Sequence, residues 1–230
     1  MARFLCLDFE TVGFPEKGGA KDDLPLPFTS FPIQVSVHIV DDGEIQHAYE
    51  SLIKGAERLT PWVRARVPVT LESLESGKTL PEVVTDLAGI LREGDTIVTH
   101  NARFDLHDVL ATACSKTGYD SAELRRILAA PRFCTMTCAY SKRIWGKWPS
   151  MEAFCAHFEV VNPRAHDARF DTAALAQCVA EALRRGVMLT EAPGETHRTK
   201  APQGPSPRYA ATMLNERVGS EDVVFQRPLH

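Results

Sequence analysis

Residues 3–11 read Arg-Phe-Leu-Cys-Leu-Asp-Phe-Glu-Thr, an apolar run that leads directly into two carboxylates. Side chains two residues apart lie on the same face of an extended strand, so Asp8 and Glu10 share one face. Two negative charges at a half-buried position repel each other unless a cation neutralises them. The stretch therefore predicts either a strand that ends in solvent or one half of a metal site.

The segments that follow predict a long loop and then a hairpin. Residues 12–32 are rich in Gly, Pro and charge, which favours a loop, and loops of this length are usually functional or mobile. Residues 33–40 alternate apolar and polar side chains, and Asp41-Asp42-Gly43 predicts a turn into an antiparallel strand over residues 44–53. We therefore expect the first three strands to form an antiparallel meander.

A third carboxylate, Asp105, follows a predicted strand over residues 96–100. The apolar residues from Leu106 to Gly118 keep a helical spacing, so Asp105 begins a helix. Side chains at such a position point over the strand ends of an open α/β sheet. The alternative is that Asp105 serves only the N-terminus of the helix.

A fourth carboxylate, Asp171, lies on the apolar face of a predicted helix that runs from Ala168 to Leu183. Burying its charge without a partner would cost several kcal/mol or force protonation, so we expect a cation nearby. His166 precedes it by five residues, close enough to share a site. We predict further helices over residues 80–91 and 151–158, the second capped by Ser150, and a short strand over 133–137.

Composition predicts one α/β domain with appendages, since the chain has 230 residues of which 44% are hydrophobic. The formal charge of -4 argues against a broadly basic nucleic-acid coat, although a local basic groove is compatible with it. We expect a domain over residues 1–190 and a tail over 191–230 that is rich in Pro and Gly. Met213-Leu214 and residues 223–225 could dock the tail on the domain or on a partner.

The six cysteines lie mostly in apolar segments and lack paired C-x-x-C spacing, which favours free, buried thiols. A zinc site built from Cys134, Cys138, Cys155 and His157 is the alternative. The apolar run after Arg3 is too short for a signal peptide, and no run is long enough to cross a membrane. We therefore expect a soluble protein in the reducing cytoplasm.

Carboxylate-rich ligand sets suit Mg²⁺ or Mn²⁺ rather than zinc. Two such ions about 4 Å apart could stabilise the attacking and leaving oxygens of a phosphodiester displacement. A base with a pKa near neutrality would activate the water, and histidine is the natural choice. The candidate set is Asp8, Glu10, Asp105 and Asp171, with His166.

These side chains lie in three motifs: Leu7-Asp8-Phe9-Glu10-Thr11, His100-Asn101-Ala102-Arg103-Phe104-Asp105 and Ala165-His166-Asp167-Ala168-Arg169-Phe170-Asp171-Thr172. The motifs resemble those of the DEDDh 3′→5′ exonucleases, a family that includes bacterial polymerase proofreading subunits and related DNA and RNA trimming enzymes. D-x-E alone is a weak signal, but the three motifs in this order over residues 3–186 are a strong one.

The resemblance implies a ribonuclease H-like α/β fold, whose mixed five-stranded sheet combines the meander with parallel strands between flanking helices. It implies that the four carboxylates bind two Mg²⁺ or Mn²⁺ ions and that His166 is the general base. It also implies a substrate with a free 3′ end, single-stranded DNA or RNA, which is shortened by mononucleotides, with a homodimer or a polymerase as possible assemblies. The residues implied for nucleotide binding are Phe9, Thr11, Asn101 and Phe104.

Two features depart from this family. Residues 14–32 form a longer connection than the usual turn after the first motif, and the tail after residue 190 has no counterpart. Residues 140–148 interleave basic and aromatic side chains, which is typical either of a strand-binding surface or of a solvated helix end with its tryptophans packed inward. We interpret four arginines as solvated charge: Arg64, Arg66, Arg125 and Arg126.

Two other functions fit parts of the sequence. An HD-type metal phosphohydrolase could use the His107-Asp108 and His166-Asp167 doublets with His100 and Asp171, but that family is wholly helical. The β-type runs near the N-terminus argue against it. A catalytically idle subunit with the same fold could bind a polymerase or a repair complex, although all five reactive side chains are present.

Overall fold

A computed structural model of the chain describes residues 3–13 and 31–187. These residues form a five-stranded mixed sheet and the helices around it. The strands are β1 (Arg3–Thr11), β2 (Pro32–Asp41), β3 (Glu44–Leu52), β4 (Thr96–Thr99) and β5 (Arg132–Cys134). Their order is β3-β2-β1-β4-β5; the first two pairings are antiparallel and the last two parallel. The predicted ribonuclease H-like sheet, a meander joined to parallel strands, is confirmed.

Helices flank both faces of the sheet. They are α1 (Pro61–Arg66), α2 (Leu71–Glu75), α3 (Leu80–Ile90), a π-helix (Arg103–Ala111), α4 (Thr112–Lys116), α5 (Ala122–Ala129), α6 (Ala139–Trp145), α7 (Met151–His157) and α8 (Ala168–Arg184). The side-chain oxygen of Ser150 accepts a hydrogen bond from the Ala153 N–H at 3.2 Å, so the predicted cap of α7 is present.

The alternation along β1 decides which face receives the acidic side chains. Leu5, Leu7 and Phe9 pack into the hydrophobic core that contains α3, the π-helix and α5. Cys6 packs on the opposite face with α7 and α8. Because strand side chains alternate, Asp8 and Glu10 continue the Cys6 row and lie on the α8 face.

The turn between β2 and β3 has the geometry that its residues predict. Asp42 has a φ of 51° and Gly43 a φ of 83°, so both central residues are left-handed. A two-residue turn of this kind matches the twist of antiparallel strands, and Asp-Gly is a favoured sequence for it. The predicted hairpin is therefore confirmed, with β3 ending at Leu52 rather than at residue 53.

The helix predicted from Leu106 to Gly118 begins earlier and is a π-helix followed by α4. The backbone N–H of Thr112 and its Oγ1 both donate to the carbonyl oxygen of His107, five residues back, and the Oγ1 distance is 2.8 Å. Apolar spacing does not distinguish this wider turn from an α-helix. π-Helical turns are frequent at functional sites, and this one carries Asp105.

All six cysteines are free and buried, as predicted. Among the described residues, the side chains grouped closely enough to hold a metal include no cysteine, so the zinc alternative is not supported. No described helix has both the length and the apolar character that a membrane crossing requires. Most of the predicted loop, residues 14–30, and the predicted tail, 191–230, lie outside the described residues.

Candidate active site

The parallel pairing of β1 with β4 brings two acidic motifs to one edge of the sheet. The two strands are parallel and their last register pair is Cys6 with Val98, so β1 extends past the end of β4 at this edge. Asp105, the third residue of the π-helix, is 2% exposed and accepts a hydrogen bond from the Phe9 N–H at 3.3 Å. The third carboxylate therefore lies beside the strand that carries Asp8 and Glu10.

Asp171 reaches the same site from the first turn of α8. Its Oδ2 accepts a hydrogen bond from the His166 N–H at 3.0 Å, and its Oδ1 accepts one from the Asn162 side chain. Potential ligand atoms of Glu10, His166 and Asp171 all lie within 4.8 Å of one another. The connection before α8 thus brings the imidazole-bearing residue and the fourth carboxylate to β1.

Electrostatic interactions join the four carboxylates into one cluster. Burial raises the pKa of Asp8 well above its ordinary value, and the charges of Asp105, Glu10 and Asp171 raise it further. Burial also raises the pKa of Glu10 to about 8, with Asp171 as its strongest charged neighbour. Near neutral pH this cluster favours bound protons over four unneutralised charges.

Hydrogen bonds oppose the effect of burial at two of these groups. Burial raises the pKa of Asp105 to about 7, while the hydrogen bonds from Phe9 and Thr99 lower it. Burial raises the pKa of Asp171 as well, and the hydrogen bond from Asn162 opposes it. Hydrogen-bond donors therefore orient the carboxylates of Asp105 and Asp171 without neutralising their charges.

This donor set fits a hard divalent cation. Buried carboxylate oxygens that repel one another are stabilised when a cation replaces their protons, and oxygen ligands suit Mg²⁺ and Mn²⁺. Glu10 and Asp171 belong to the closely spaced group, whereas Asp8 and Asp105 join the cluster through their charges. The group also includes His166, which sequence reasoning assigned to proton transfer rather than to a metal.

His166 has a left-handed backbone, with a φ of 66°. Its imidazole contacts the indole of Trp62 edge-on, with ring centroids 4.8 Å apart and an interplanar angle of 72°. The guanidinium of Arg66 lies 4.8 Å from the centroid of the same indole. Arg66 is therefore more than solvated charge, and Trp62 is a site residue that sequence reasoning missed.

A buried polar network orients the start of α8, and sequence reasoning missed it too. The Gln34 Nε2 donates to Asp167 Oδ1 at 3.2 Å, and its Oε1 accepts from the Ala168 N–H at 3.3 Å. The Thr172 Oγ1 donates to Ser36 Oγ at 3.0 Å. Gln34 and Ser36 occupy polar positions of β2 that alternation assigns to solvent, but α8 covers them. Gln34 and Ser36 are two residues apart and therefore lie on one face of β2, and this spacing was the feature of the sequence that could have indicated a shared role.

The residues implied for nucleotide binding lie at the same edge. Phe9 and Thr11 are 3% and 6% exposed, so little of either residue is accessible. Asn101 and Phe104 are half-buried, and the Asn101 carbonyl accepts a hydrogen bond from the Asp105 N–H at 3.1 Å. Their contact with a nucleotide stays a prediction.

The segment 140–148 combines parts of both predicted arrangements. Trp145 packs edge-on against His157, with ring centroids 5.1 Å apart, whereas Trp148 is 67% exposed. The C-cap of α6 is Gly146, whose left-handed φ of 65° ends the helix before Trp148. One tryptophan therefore packs inward and the other does not, and the strand-binding role stays a prediction.

The HD-type alternative is wrong on two grounds. The five-stranded sheet is incompatible with a wholly helical fold. His100 also has a packing role: its Nδ1 lies 2.8 Å from Thr135 Oγ1, its Nε2 lies 3.2 Å from the Pro149 carbonyl oxygen, and burial lowers its pKa to about 4. Among the described residues, the group able to hold a metal contains neither His100 nor His107.

Comparisons with known sequences agree with this geometry. A family model described as Exonuclease matches residues 5–179. A protein named DNA polymerase III PolC-type from Thermotoga petrophila is 32% identical over 104 residues, which are 45% of this chain and 7% of that protein. The corresponding protein of Thermotoga maritima is 31% identical over 104 residues. The matched region is thus a small part of the length of these relatives.

Solved structures share the fold at low sequence identity. A 3′-exonuclease that recognises the 3′ end of a histone mRNA stem-loop is 14% identical with a TM-score of 0.63, over 82% of this chain and 84% of that one. Exonuclease X in complex with 5′ overhanging duplex DNA is 21% identical with a TM-score of 0.52, over 82% and 95%. The sequence match, the sheet and the acidic edge lead to one conclusion: the chain belongs to the DEDD 3′→5′ exonuclease family.

Proposed function

We propose that this protein removes mononucleotides from the 3′ end of a nucleic acid by attack of water on the terminal phosphodiester. The observation that carries the proposal is the cluster of four carboxylates on the α8 side of one sheet edge. Burial raises the pKa values of all four, and repulsion within the cluster raises those of Asp8 and Glu10 further. Such a site becomes stable at neutral pH when divalent cations take the place of protons.

The four carboxylates would hold two divalent ions, Mg²⁺ or Mn²⁺. When bound, the ions supply charge stabilisation for the attacking and leaving oxygens. Asp8 and Glu10 are fixed by the sheet pairing of β1, Asp105 by the hydrogen bond from Phe9, and Asp171 by its contacts with the His166 backbone. Residues held this way keep their oxygens oriented while substrate enters.

His166 is the proposed general base. Its imidazole accepts a proton from the attacking water as the new phosphorus–oxygen bond forms. The bond from phosphorus to the 3′ oxygen then breaks, and that oxygen takes a proton from solvent while His166 returns its proton to solvent. A nucleoside 5′-monophosphate and a shortened 3′-hydroxyl strand result. Asp171, whose carboxylate lies next to His166, stabilises the imidazolium that forms.

The proposed substrate is single-stranded DNA or RNA with a free 3′ end. The pairing of β1 with β4 ends at Cys6, so the backbone of Phe9 to Thr11 is left without a β4 partner at this edge. We propose that this backbone holds the terminal nucleotide while Asn101 and Phe104 contact it. The structural relatives include an exonuclease bound to overhanging duplex DNA and one that recognises an mRNA stem-loop.

The similarity to PolC-type polymerases favours an association with a polymerase. We propose that the exonuclease domain lies within residues 1–190, which contain the matched region 5–179, and that residues 191–230 form a separate tail available for such contacts. A homodimer is the other assembly to test. Size-exclusion chromatography with light scattering on the full chain distinguishes a monomer from a dimer.

Parallel digestion of matched strands tests the proposal. Oligonucleotides of DNA and RNA, single-stranded and duplex, carry a 5′ label and either a free or a phosphorylated 3′ end. We expect a ladder of products that shorten from the 3′ end, release of 5′-mononucleotides, and protection by the blocked end. Uncut strands after long incubation with Mg²⁺ or Mn²⁺ would instead support the catalytically idle binding subunit.

A further inference from the structure

The imidazole of His166 is positioned by an aromatic contact. Its backbone N–H is fixed by Asp171, but among the described residues no side chain is hydrogen-bonded to the imidazole ring itself. The ring packs edge-on against Trp62, with centroids 4.8 Å apart. His166 also has a left-handed φ of 66°, which is unfavourable for a residue with a side chain. The surrounding structure must therefore stabilise this backbone conformation.

Trp62 is anchored to the strand that carries the acidic residues. It lies in the first turn of α1, and the N-cap residue of this helix, Thr60, donates its N–H to the Val12 carbonyl oxygen at 3.1 Å. A Cβ at Gly13 would lie 2.4 Å from Thr60 Oγ1, and Gly13 has a φ of 90°. Only glycine permits this approach, so the end of β1 and α1 form one unit.

Arg66 supports the indole from the same helix. It follows Trp62 by four residues, the spacing at which side chains of one helix face meet, and its guanidinium lies 4.8 Å from the indole centroid. Trp62 is 47% exposed, so burial in the core does not fix its ring. The contacts with Arg66 and His166 do so instead.

We propose that Trp62 is the positioning residue of the catalytic histidine. The anchored helix α1 holds the indole, and the indole holds the imidazole beside Glu10 and Asp171, where the attacking water must lie. This inference rests on the proposed function, because it assigns to His166 the role of general base. Trp62 itself exchanges no proton.

The proposal is tested by measuring the exonuclease kinetics of two variants against those of an active wild-type protein. Trp62→Ala is expected to lower kcat about 30-fold with KM changed less than about twofold, since misplacing a reacting group lowers the rate rather than the affinity. Trp62→Phe keeps a ring edge and is expected to retain activity within about threefold. Ile45→Ala is the matched control, because it removes a comparably exposed apolar side chain, 40% exposed, from the distant β2–β3 hairpin.

A double substitution separates positioning from other roles. If Trp62 acts through His166, Trp62→Ala adds no further loss of kcat in a His166→Ala background. An additional loss of about 30-fold there would overturn the proposal. A rise in KM at unchanged kcat would also overturn it, because it would assign the indole to substrate stacking.

A spectroscopic measurement tests the contact without any turnover. In proton NMR, the imidazole resonance that disappears in His166→Ala is expected to carry a ring-current shift from the indole. Trp62→Ala should remove this shift and Trp62→Phe should keep part of it. An unmoved resonance in Trp62→Ala would overturn the proposal even if the wild type is an active exonuclease, whereas an inactive wild type would overturn the proposed function first.

Discussion

The backbone N–H of Phe9 donates a hydrogen bond of 3.3 Å to the Oδ1 of Asp105. This bond joins the residue between the two carboxylates of β1 to the carboxylate of the π-helix. The third acidic residue is thereby held next to the first two, although 96 residues separate the partners along the chain. The hydrogen bond explains how Asp8, Glu10 and Asp105 remain together at one edge of the sheet despite the repulsion between their charges.

Replacing Glu10 by Gln should abolish exonuclease activity and stabilise the metal-free protein. The amide cannot provide a negatively charged ligand, but it also removes a charge from a cluster in which burial and then repulsion raise the pKa of Glu10 to about 8. We expect a higher melting temperature than wild type near pH 8 in chelator. Glu44→Gln, on the exposed first residue of β3, is the control. A lower melting temperature for Glu10→Gln would contradict the electrostatic account.

Stability of the metal-free protein should fall as pH rises. Burial raises the pKa of Glu10 from an ordinary value of 4.5 to about 8 and the pKa of Asp105 from 3.8 to about 7. Above the ordinary values the unfolded chain has lost protons that the folded chain still holds, so the stabilisation present at low pH is lost as pH rises through the folded values.

Urea denaturation at intervals between about pH 4.5 and pH 8.5 measures this effect. We expect the free energy of unfolding to decrease across the interval, with a flatter profile in Glu10→Gln. Added Mg²⁺ should restore stability most strongly at the alkaline end, since the ion competes with the bound protons. A free energy of unfolding that rises with pH throughout the interval would show that Glu10 and Asp105 are ionised in the folded protein.

His166→Ala should lower kcat by about 100-fold or more while Mn²⁺ affinity stays within a few-fold of wild type. The imidazole is proposed to accept the proton of the water, whereas the carboxylates hold the ions. Isothermal titration calorimetry with Mn²⁺ and single-turnover kinetics measure the two quantities separately. Loss of metal binding in this variant would assign His166 to the ligands, an arrangement that its distances to Glu10 and Asp171 permit.

Gln34→Leu should destabilise the protein by about 1–3 kcal/mol, because Asp167 and the Ala168 N–H lose a buried partner. Since these groups begin α8, the rate should fall as well through displacement of Asp171. Gln46→Leu, on the exposed strand β3, is the control. Denaturant melts and digestion kinetics check both parts, and equal stability of the two variants would remove Gln34 from the network.

Sequence reasoning succeeded where periodicity and turn chemistry act locally. The strand over residues 3–11, the Asp-Gly turn and the Ser150 cap are each specified by a few neighbouring residues. The position of Asp171 on the apolar face of α8 could be predicted because a 17-residue helix gives a clear stripe.

The parts that escaped prediction depend on distant packing. Helix α1 has only 6 residues, too few for an apolar period, so Trp62 gave no sign of facing His166. Alternation along β2 suggested a solvent face, but α8 covers Gln34, which is 4% exposed. The π-helix carries the same apolar spacing as an α-helix and differs only in its hydrogen bonds.

Digestion of a 5′-labelled single strand by metal-stripped protein, before and after addition of Mn²⁺, tests the central claim most directly. We expect no cleavage without metal, stepwise shortening from the 3′ end with release of 5′-mononucleotides once Mn²⁺ is added, and no shortening with Asp8→Asn at any Mn²⁺ concentration. Cleavage that persists in chelator, or that Asp8→Asn retains, would contradict a carboxylate-held metal site as the catalytic centre.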